Sequence, residues 1–231
     1  MHLLVTGATG AVGNEVVRQA LADPRIARVV ALTRRPLAWT DPRLDVRLLD
    51  DFGSSDAIAR VLPAAVDACA YALGVSQVQV RDPDRYHAIT HGFTLATARA
   101  LAAQSPQARF LFVSGQGADP TMRSRVRFAR VKGETERDLG ALLGDRLIVY
   151  RPGYIHPVRG RETVVWQDTL SRPLWWLRAL LPWLVTDTVE VAHALLHGAL
   201  GVGVPRLLEN RDIRAAARAY RQSRPVVVAS V

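Results

Sequence analysis

The stretch FARVKGETE, residues 128–136, holds the only lysine of the chain, Lys132; every other basic side chain among the 30 Lys and Arg residues is arginine. Arginine is a planar fork that stays charged, whereas lysine is a compact ammonium whose proton affinity shifts readily on burial. A site that needs a small, tunable cation resists replacement by arginine. A second cluster lies in HLLVTGATGAVGNEVVRQAL (2–21), where Gly7, Gly10 and Gly13 recur every third residue. A tight turn needs one glycine, and close approach of backbone to a pyrophosphate needs another. The helix that follows offers free N–H groups and the positive end of its dipole to phosphates. Gly7, Thr9, Gly10, Ala11, Val12 and Gly13 are therefore the candidate phosphate cradle. A third cluster is Thr33, Arg34 and Arg35, in ALTRRP. An acid at such a place holds a ribose 2′-hydroxyl. A guanidinium pairs instead with a 2′-phosphate through two parallel bonds, so NADP(H) is expected over NAD(H).

These clusters need elements to hold them. Short, nearly continuous apolar runs fall at 2–6, 28–33, 45–49, 68–73, 109–114 and 146–150, bounded by Gly, Pro and Asp. Helical patterns fall near 11–22, 55–62, 84–104 and 122–143. Strands alternating with helices predict a parallel sheet covered on both faces, and unbroken apolar runs suit strands buried on both sides. The glycine turn then joins the first strand to the first helix, and Lys132 lies on the helix after the fifth strand. Asp187 is read as the N-cap of a later helix with Glu190 at its third position. A strand-like 205–209 and a helix from about 211 to 222 follow. The reading is one α/β domain over 1–231, a doubly wound parallel Rossmann sheet with helices on both faces. Residues 151–200 contribute a small substrate-side cap, and 223–231 form a loose tail. In this fold Asp51 and Phe52 stand where an adenine ring lies, and Leu73 and Gly74 pass near the cofactor's ribose.

Composition bounds the rest. A hydrophobic share of 49% and a charged share of 22% suit a globular domain with a sizeable core. The net charge of +9 invites a nucleic-acid reading. The arginines are spread along the chain, however, and no nucleic-acid motif accompanies them, so a solvated basic surface is expected. A single cysteine, Cys69, excludes an internal disulfide and a Cys-rich metal site, and fits a reducing compartment. No metal site is read from the sequence. The chain enters a strand at once, without a signal-peptide pattern. Its most apolar stretch, PLWWLRALLPWLV (173–185), carries Arg178 and Pro182 and is too short to span a bilayer. A cytoplasmic location is expected.

The GxxGxxG turn with its flanking TGATG resembles the extended and atypical short-chain dehydrogenase/reductases. ALGVSQ, FLFVSGQGADPTMRSRVRFARVKGETE and VYRPGYIHP are similar to the atypical branch related to the human Tat-interacting protein TIP30 (CC3). The likeness covers residues 1–220 and is strongest at 109–157. It implies a catalytic Ser after the fifth strand and a Tyr-x-x-x-Lys on the next helix, where the Lys holds the nicotinamide ribose and activates the Tyr. Those roles fall to Ser114 and Lys132, with Gly133, Arg151, Pro152 and Gly153 also matching and Pro152 beside the cofactor. Two positions depart from the pattern: Phe128 stands in place of Tyr, and Gly115 in place of a second Ser. Phenylalanine has no hydroxyl, so the usual proton donor is missing and FxxxK keeps only its ribose-holding half. Tyr86, His87, His91, Tyr154 and His156 are the candidates to supply a proton. Tyr154 leads them because it follows the RPG turn toward the expected substrate cleft. Arg151 would bind an anionic substrate or tie down a loop.

Trp166, Trp175, Trp176 and Trp183 crowd one segment. An aromatic lid over a small apolar or flat substrate, packing in the core or in a homodimer, and a membrane-surface helix are the readings left open. The sequence thus implies an NADP(H)-binding atypical short-chain dehydrogenase/reductase. A redox-inactive nucleotide-binding protein and a redox-neutral enzyme are the alternatives.

Overall fold

The structure, a computed structural model, describes all residues except 39, 78, 159–183, 202 and 226–231. The Trp-rich segment read above as a lid, a packing surface or a membrane helix, and the tail beyond residue 225, lie outside the described residues. Seven strands form one sheet: β1 (His2–Thr6), β2 (Arg28–Thr33), β3 (Leu44–Leu48), β4 (Ala68–Tyr71), β5 (Arg109–Val113), β6 (Leu147–Arg151) and β9 (Leu207–Glu209). Their spatial order is β3-β2-β1-β4-β5-β6-β9, and every neighbouring pair is parallel. The order reverses between β1 and β4. In such sheets ligands bind beyond the carboxyl ends of the strands at this reversal. A second, two-stranded parallel sheet joins β7 (Tyr154–His156) to β8 (Val185–Asp187).

The inner strands are largely apolar because both their faces are covered, whereas β3 at the sheet edge carries Asp45 and Arg47 and is only partly buried. Successive side chains point to opposite faces, and the two cores divide the strand residues accordingly. Leu3, Val5, Val29, Ala31, Leu111 and Tyr150 face one core. Leu4, Val30, Leu32, Cys69, Phe110 and Phe112 face the other. The first core is closed by α1 (Ala11–Leu21), α6 (Thr188–Ala199) and α7 (Asn210–Ser223). The second is closed by α2 (Ser55–Val61), α4 (Phe93–Gln104) and α5 (Arg127–Leu143). Part of the stretch expected to form a cap therefore belongs to a helical layer: α6 packs on α1 and α7. Its N-cap is Asp187, whose side chain accepts from the Glu190 N–H at 2.7 Å. A clasp joins this layer's two ends. The Tyr220 hydroxyl donates to Asp23 Oδ2 at 2.7 Å, and Arg25 pairs with the same carboxylate.

Two elements differ from their sequence reading. The pattern at 84–104 is not one α-helix: α3 (Pro83–His87) passes through a π turn (Ala88–Gly92) into α4. The helix expected from 122 begins at Arg127. The cause is Asp119, whose carboxylate accepts from the backbone N–H groups of Thr121, Arg123 and Ser124. Those bonds give the chain an alternative to helix, and Met122 turns through φ 62°. The resulting loop rests on α5 at Gly133, where an added Cβ would lie 2.0 Å from the Asp119 carbonyl. Only glycine admits that approach. Among the described residues no helix is long and apolar enough to cross a membrane.

Candidate dinucleotide site and catalytic centre

The turn from β1 into α1 can be built only from glycine at two of its positions. Gly7 has φ 72°, and a Cβ there would lie 2.6 Å from the Ala72 oxygen. A Cβ on Gly13 would lie 2.2 Å from the Gly7 oxygen. The Gly10 N–H donates to the Gly7 carbonyl at 2.8 Å. Gly10 is also the N-cap of α1 and contributes no capping side chain. The first-turn N–H groups of α1 are thus left for an anion. Beside this turn lies a cavity of about 170 Å³, lined by Gly7, Thr9 and Gly10, by Thr33, Arg34 and Arg35, and by Phe52, Leu73 and Gly74. These nine expected cofactor residues therefore meet around one space, whereas Lys132 and Pro152 do not line it, and no acid is among the described residues of the lining. The turn and the helix end fit the phosphates of a dinucleotide. Asp51 is not on the lining; its carboxylate accepts from the Gly53 N–H at 2.7 Å. Ala11, Val12 and Gly13 lie behind the lining, in the first turns of α1. Ile89 and Phe93 complete the wall. The sequence reading missed them because apolar residues four apart on a helix read as core.

One face of α5 meets the end of β5 residue by residue. Phe128, Lys132 and Glu136 are spaced four apart, so they form one stripe. The Lys132 ammonium donates to the Val113 carbonyl at 3.0 Å and lies over the Phe112 ring, 4.7 Å from its centroid. It is 7% exposed. Burial pushes its pKa down from the ordinary 10.5 to about 8, against the pull of Glu136. Glu136 accepts from the Ser114 hydroxyl at 2.5 Å and from Arg151 through Nε at 3.0 Å and through Nη2. Arg151 reaches Glu209 as well, at 3.5 Å. Ser114 is therefore turned toward a buried ion pair. Position 115 is the one that faces Phe128: a Cβ on Gly115 would lie 2.5 Å from Phe128 Cζ. Neither residue of that facing pair carries a hydroxyl.

Arg151 ties elements together through its two carboxylates. Pro152 accepts from the Gln116 N–H at 2.9 Å, and the Gly153 N–H donates to Asn210 Oδ1 at 3.2 Å. Gly153 also approaches the Leu184 oxygen so closely that a Cβ would stand 2.2 Å from it. Tyr154 and His156 follow on β7. Tyr86 is buried, and burial raises its pKa. His87 and His91 point at α5, toward Glu134 and Asp138.

Residues 3–125 match the model of the NAD dependent epimerase/dehydratase family. The mitochondrial protein FMP52 of Saccharomyces cerevisiae is 32% identical over 165 residues, covering 71% of this chain and 68% of that protein. The FMP52 protein of Eremothecium gossypii is 28% identical over 155 residues, 67% of this chain, and the match spans 66% of that relative's length. The Bordetella bronchiseptica enzyme WbmF, solved in complex with NAD+, superposes with a TM-score of 0.66 at 15% identity, over 96% of this chain and 77% of that one. At such identity the likeness is one of fold. The cytoplasmic location expected from the sequence is corrected by these relatives, since both FMP52 proteins are named as mitochondrial. With its glycine turn, its parallel sheet and a family match over more than half its length, the chain belongs to the NAD dependent epimerase/dehydratase family.

Proposed function

We propose that this protein binds NADP(H) in the glycine-turn cavity and does not reduce carbonyls through a serine–tyrosine relay. Arg34 and Arg35 on the cavity wall support the 2′-phosphate preference, because a guanidinium fork matches a phosphate. Lys132, the chain's one lysine, supports a hold on the nicotinamide ribose. Bound, the cofactor would supply or accept a hydride. What this chain adds is orientation by Lys132 and the glycine turn. The observation that carries the proposal is the contact of Gly115 with Phe128: the two positions that face each other at the strand end offer no proton. The reading is a dinucleotide-binding protein whose redox step is silent or belongs to a substrate that needs no enzyme proton. Calorimetry tests the binding half. NADPH should bind at least tenfold more tightly than NADH, about 1.4 kcal/mol, and Arg34→Ala should erase the difference. Equal affinities would overturn it.

A second reading keeps turnover on a small apolar or aromatic substrate, with Tyr154 as proton donor. It is favoured by the position of Tyr154 directly after Gly153, which packs within reach of Gln116 next to Gly115. Tyr154→Phe abolishing an NADPH-dependent turnover, with cofactor affinity unchanged, would select it.

A further inference from the structure

Away from the dinucleotide cavity, two histidines and two carboxylates meet between α5 and the helical run 83–104. His87 Nε2 lies 2.9 Å from Glu134 Oε2, and His91 Nε2 lies 2.8 Å from Asp138 Oδ2. The imidazoles stack on each other with centroids 4.8 Å apart and planes at 27°. One ligand atom each of His91, Glu134 and Asp138 falls within 4.8 Å of the other two; His87 stands outside that group of three, against Glu134. The backbone arranges this. His87 and His91 are four apart and share a face of the run, which passes through the π turn at 88–92. On α5, Glu134 and Asp138 are four apart and share a face. Arg137 Nε donates to Asp138 Oδ1 at 2.8 Å. That outer bond leaves Oδ2 toward the histidines, as the partners behind metal ligands do.

Charge argues for a cation here. Two carboxylates face two imidazoles, and the one guanidinium at the cluster, Arg137, pairs with Asp138, which leaves room for further positive charge. One divalent ion balances both carboxylates and leaves both rings neutral, the state in which imidazole is a ligand. Two imidazole nitrogens with two carboxylate oxygens suit zinc or a neighbouring transition metal rather than calcium or magnesium. Ligand distances near 2.0–2.2 Å set neighbouring ligand atoms about 3.4 Å apart, so side-chain rotation has to part the two close pairs and bring the wider ones, up to 4.8 Å within the group of three, together, with His87 swinging in from its edge. All four side chains are partly open to solvent, from 19% for His91 to 43% for His87, so an ion has access.

We propose that His87, His91, Glu134 and Asp138 form a binding site for one divalent transition-metal ion, Zn2+ in the first place, which pins α5 to the helical run beside it. The site is separate from the cofactor cavity. Ile89 and Phe93, two residues on from each histidine, line that cavity and therefore lie on the far side of the same run.

The test uses the full chain after treatment with chelator. Calorimetric titration with Zn2+ should give one ion per chain, and Co2+ should give the visible absorption of a four-coordinate complex. His91→Gln and Glu134→Gln should each weaken Zn2+ at least tenfold, and His87→Gln/His91→Gln should remove saturable binding. NADPH affinity should be the same in all of them. Zn2+ should raise the thermal midpoint of the parent and not of the double variant. Absence of saturable Zn2+ binding by the parent would overturn the proposal, as would parental affinity in the double variant. Should the double variant not fold, parental affinity in Glu134→Gln overturns it equally.

Discussion

The tip of the Phe128 ring occupies the place that a side chain at residue 115 would need, since a Cβ on Gly115 would lie 2.5 Å from Phe128 Cζ. A real Cβ does not approach a ring that closely, so the two positions are coupled in size. Gly115→Ala should destabilise the protein by about 1–3 kcal/mol, the cost of overpacking, measured by urea denaturation. The double change Gly115→Ala/Phe128→Ala should cost less than the sum of its parts, with a coupling of about 1 kcal/mol or more.

Phe128→Tyr restores a phenol but finds no hydroxyl opposite it, because Gly115 is bare and Ser114 donates to Glu136. We expect no NADPH-dependent reduction of generic carbonyls from this single change, followed at 340 nm. Robust turnover from it would refute the silent-site reading.

Lys132 should trade stability for binding. Its pKa falls from 10.5 to about 8 through burial, so the charged form in the folded state costs about 3 kcal/mol at 1.36 kcal/mol per unit. Below pH 8 folded and unfolded chains both carry the proton and the full cost is present. Between pH 8 and 10.5 the unfolded chain holds more protons, so stability rises with pH. Lys132→Met should therefore be more stable than the parent at pH 7 by about 1–3 kcal/mol, and the gap should close across pH 8–10.5. The same variant should bind NADPH roughly tenfold to a hundredfold more weakly, the worth of a charge-assisted hydrogen bond. Lys132→Arg should weaken it as well, because a planar fork does not fit where an ammonium sat.

The Ser114–Glu136–Arg151 group separates a structural from a catalytic serine. Glu136→Gln or Arg151→Met strands a buried charge and should cost about 3–5 kcal/mol. Ser114→Ala loses one hydrogen bond to a charged group and should cost about 1.5–3 kcal/mol. Neither class of variant should alter NADPH affinity in protein that remains folded. A Ser114→Ala protein of parental stability that has lost a turnover would make the serine catalytic.

The layout of the sheet and the place of the glycine turn could be read from sequence because both rest on local signals: unbroken apolar runs, and glycine spacing ahead of a helix. The four strands from β1 to β4 and the turn between β1 and α1 fall within a residue or two of their expected ends. What faces what could not be read. Sequence places Ser114 at a strand end but does not say that its hydroxyl meets a carboxylate 22 residues on. It shows Gly115 and Phe128 as two unrelated departures, whereas the fold makes them one contact. The histidine–carboxylate pairs are 47 residues apart in the chain, and no spacing rule joins them. The late start of α5 turned on one aspartate competing for backbone donors, a choice that helical propensity does not register.

The clasp between Asp23 and Tyr220 carries a consequence for the order in which the molecule comes into being. Its partners are 197 residues apart, and Arg25 and Arg224 stitch the same two ends through Ser223 and Ala22. Among the described residues every strand pairing is parallel, so each of these pairings closes a long connection and none forms as a local hairpin. Such topologies fold slowly, since loop entropy is lost before contacts repay it. On the ribosome the first helix must wait, with part of its apolar face bare, until α6 has been synthesised, and the clasp itself closes only when the last helix follows. That interval exposes the nascent chain to aggregation and to chaperone capture.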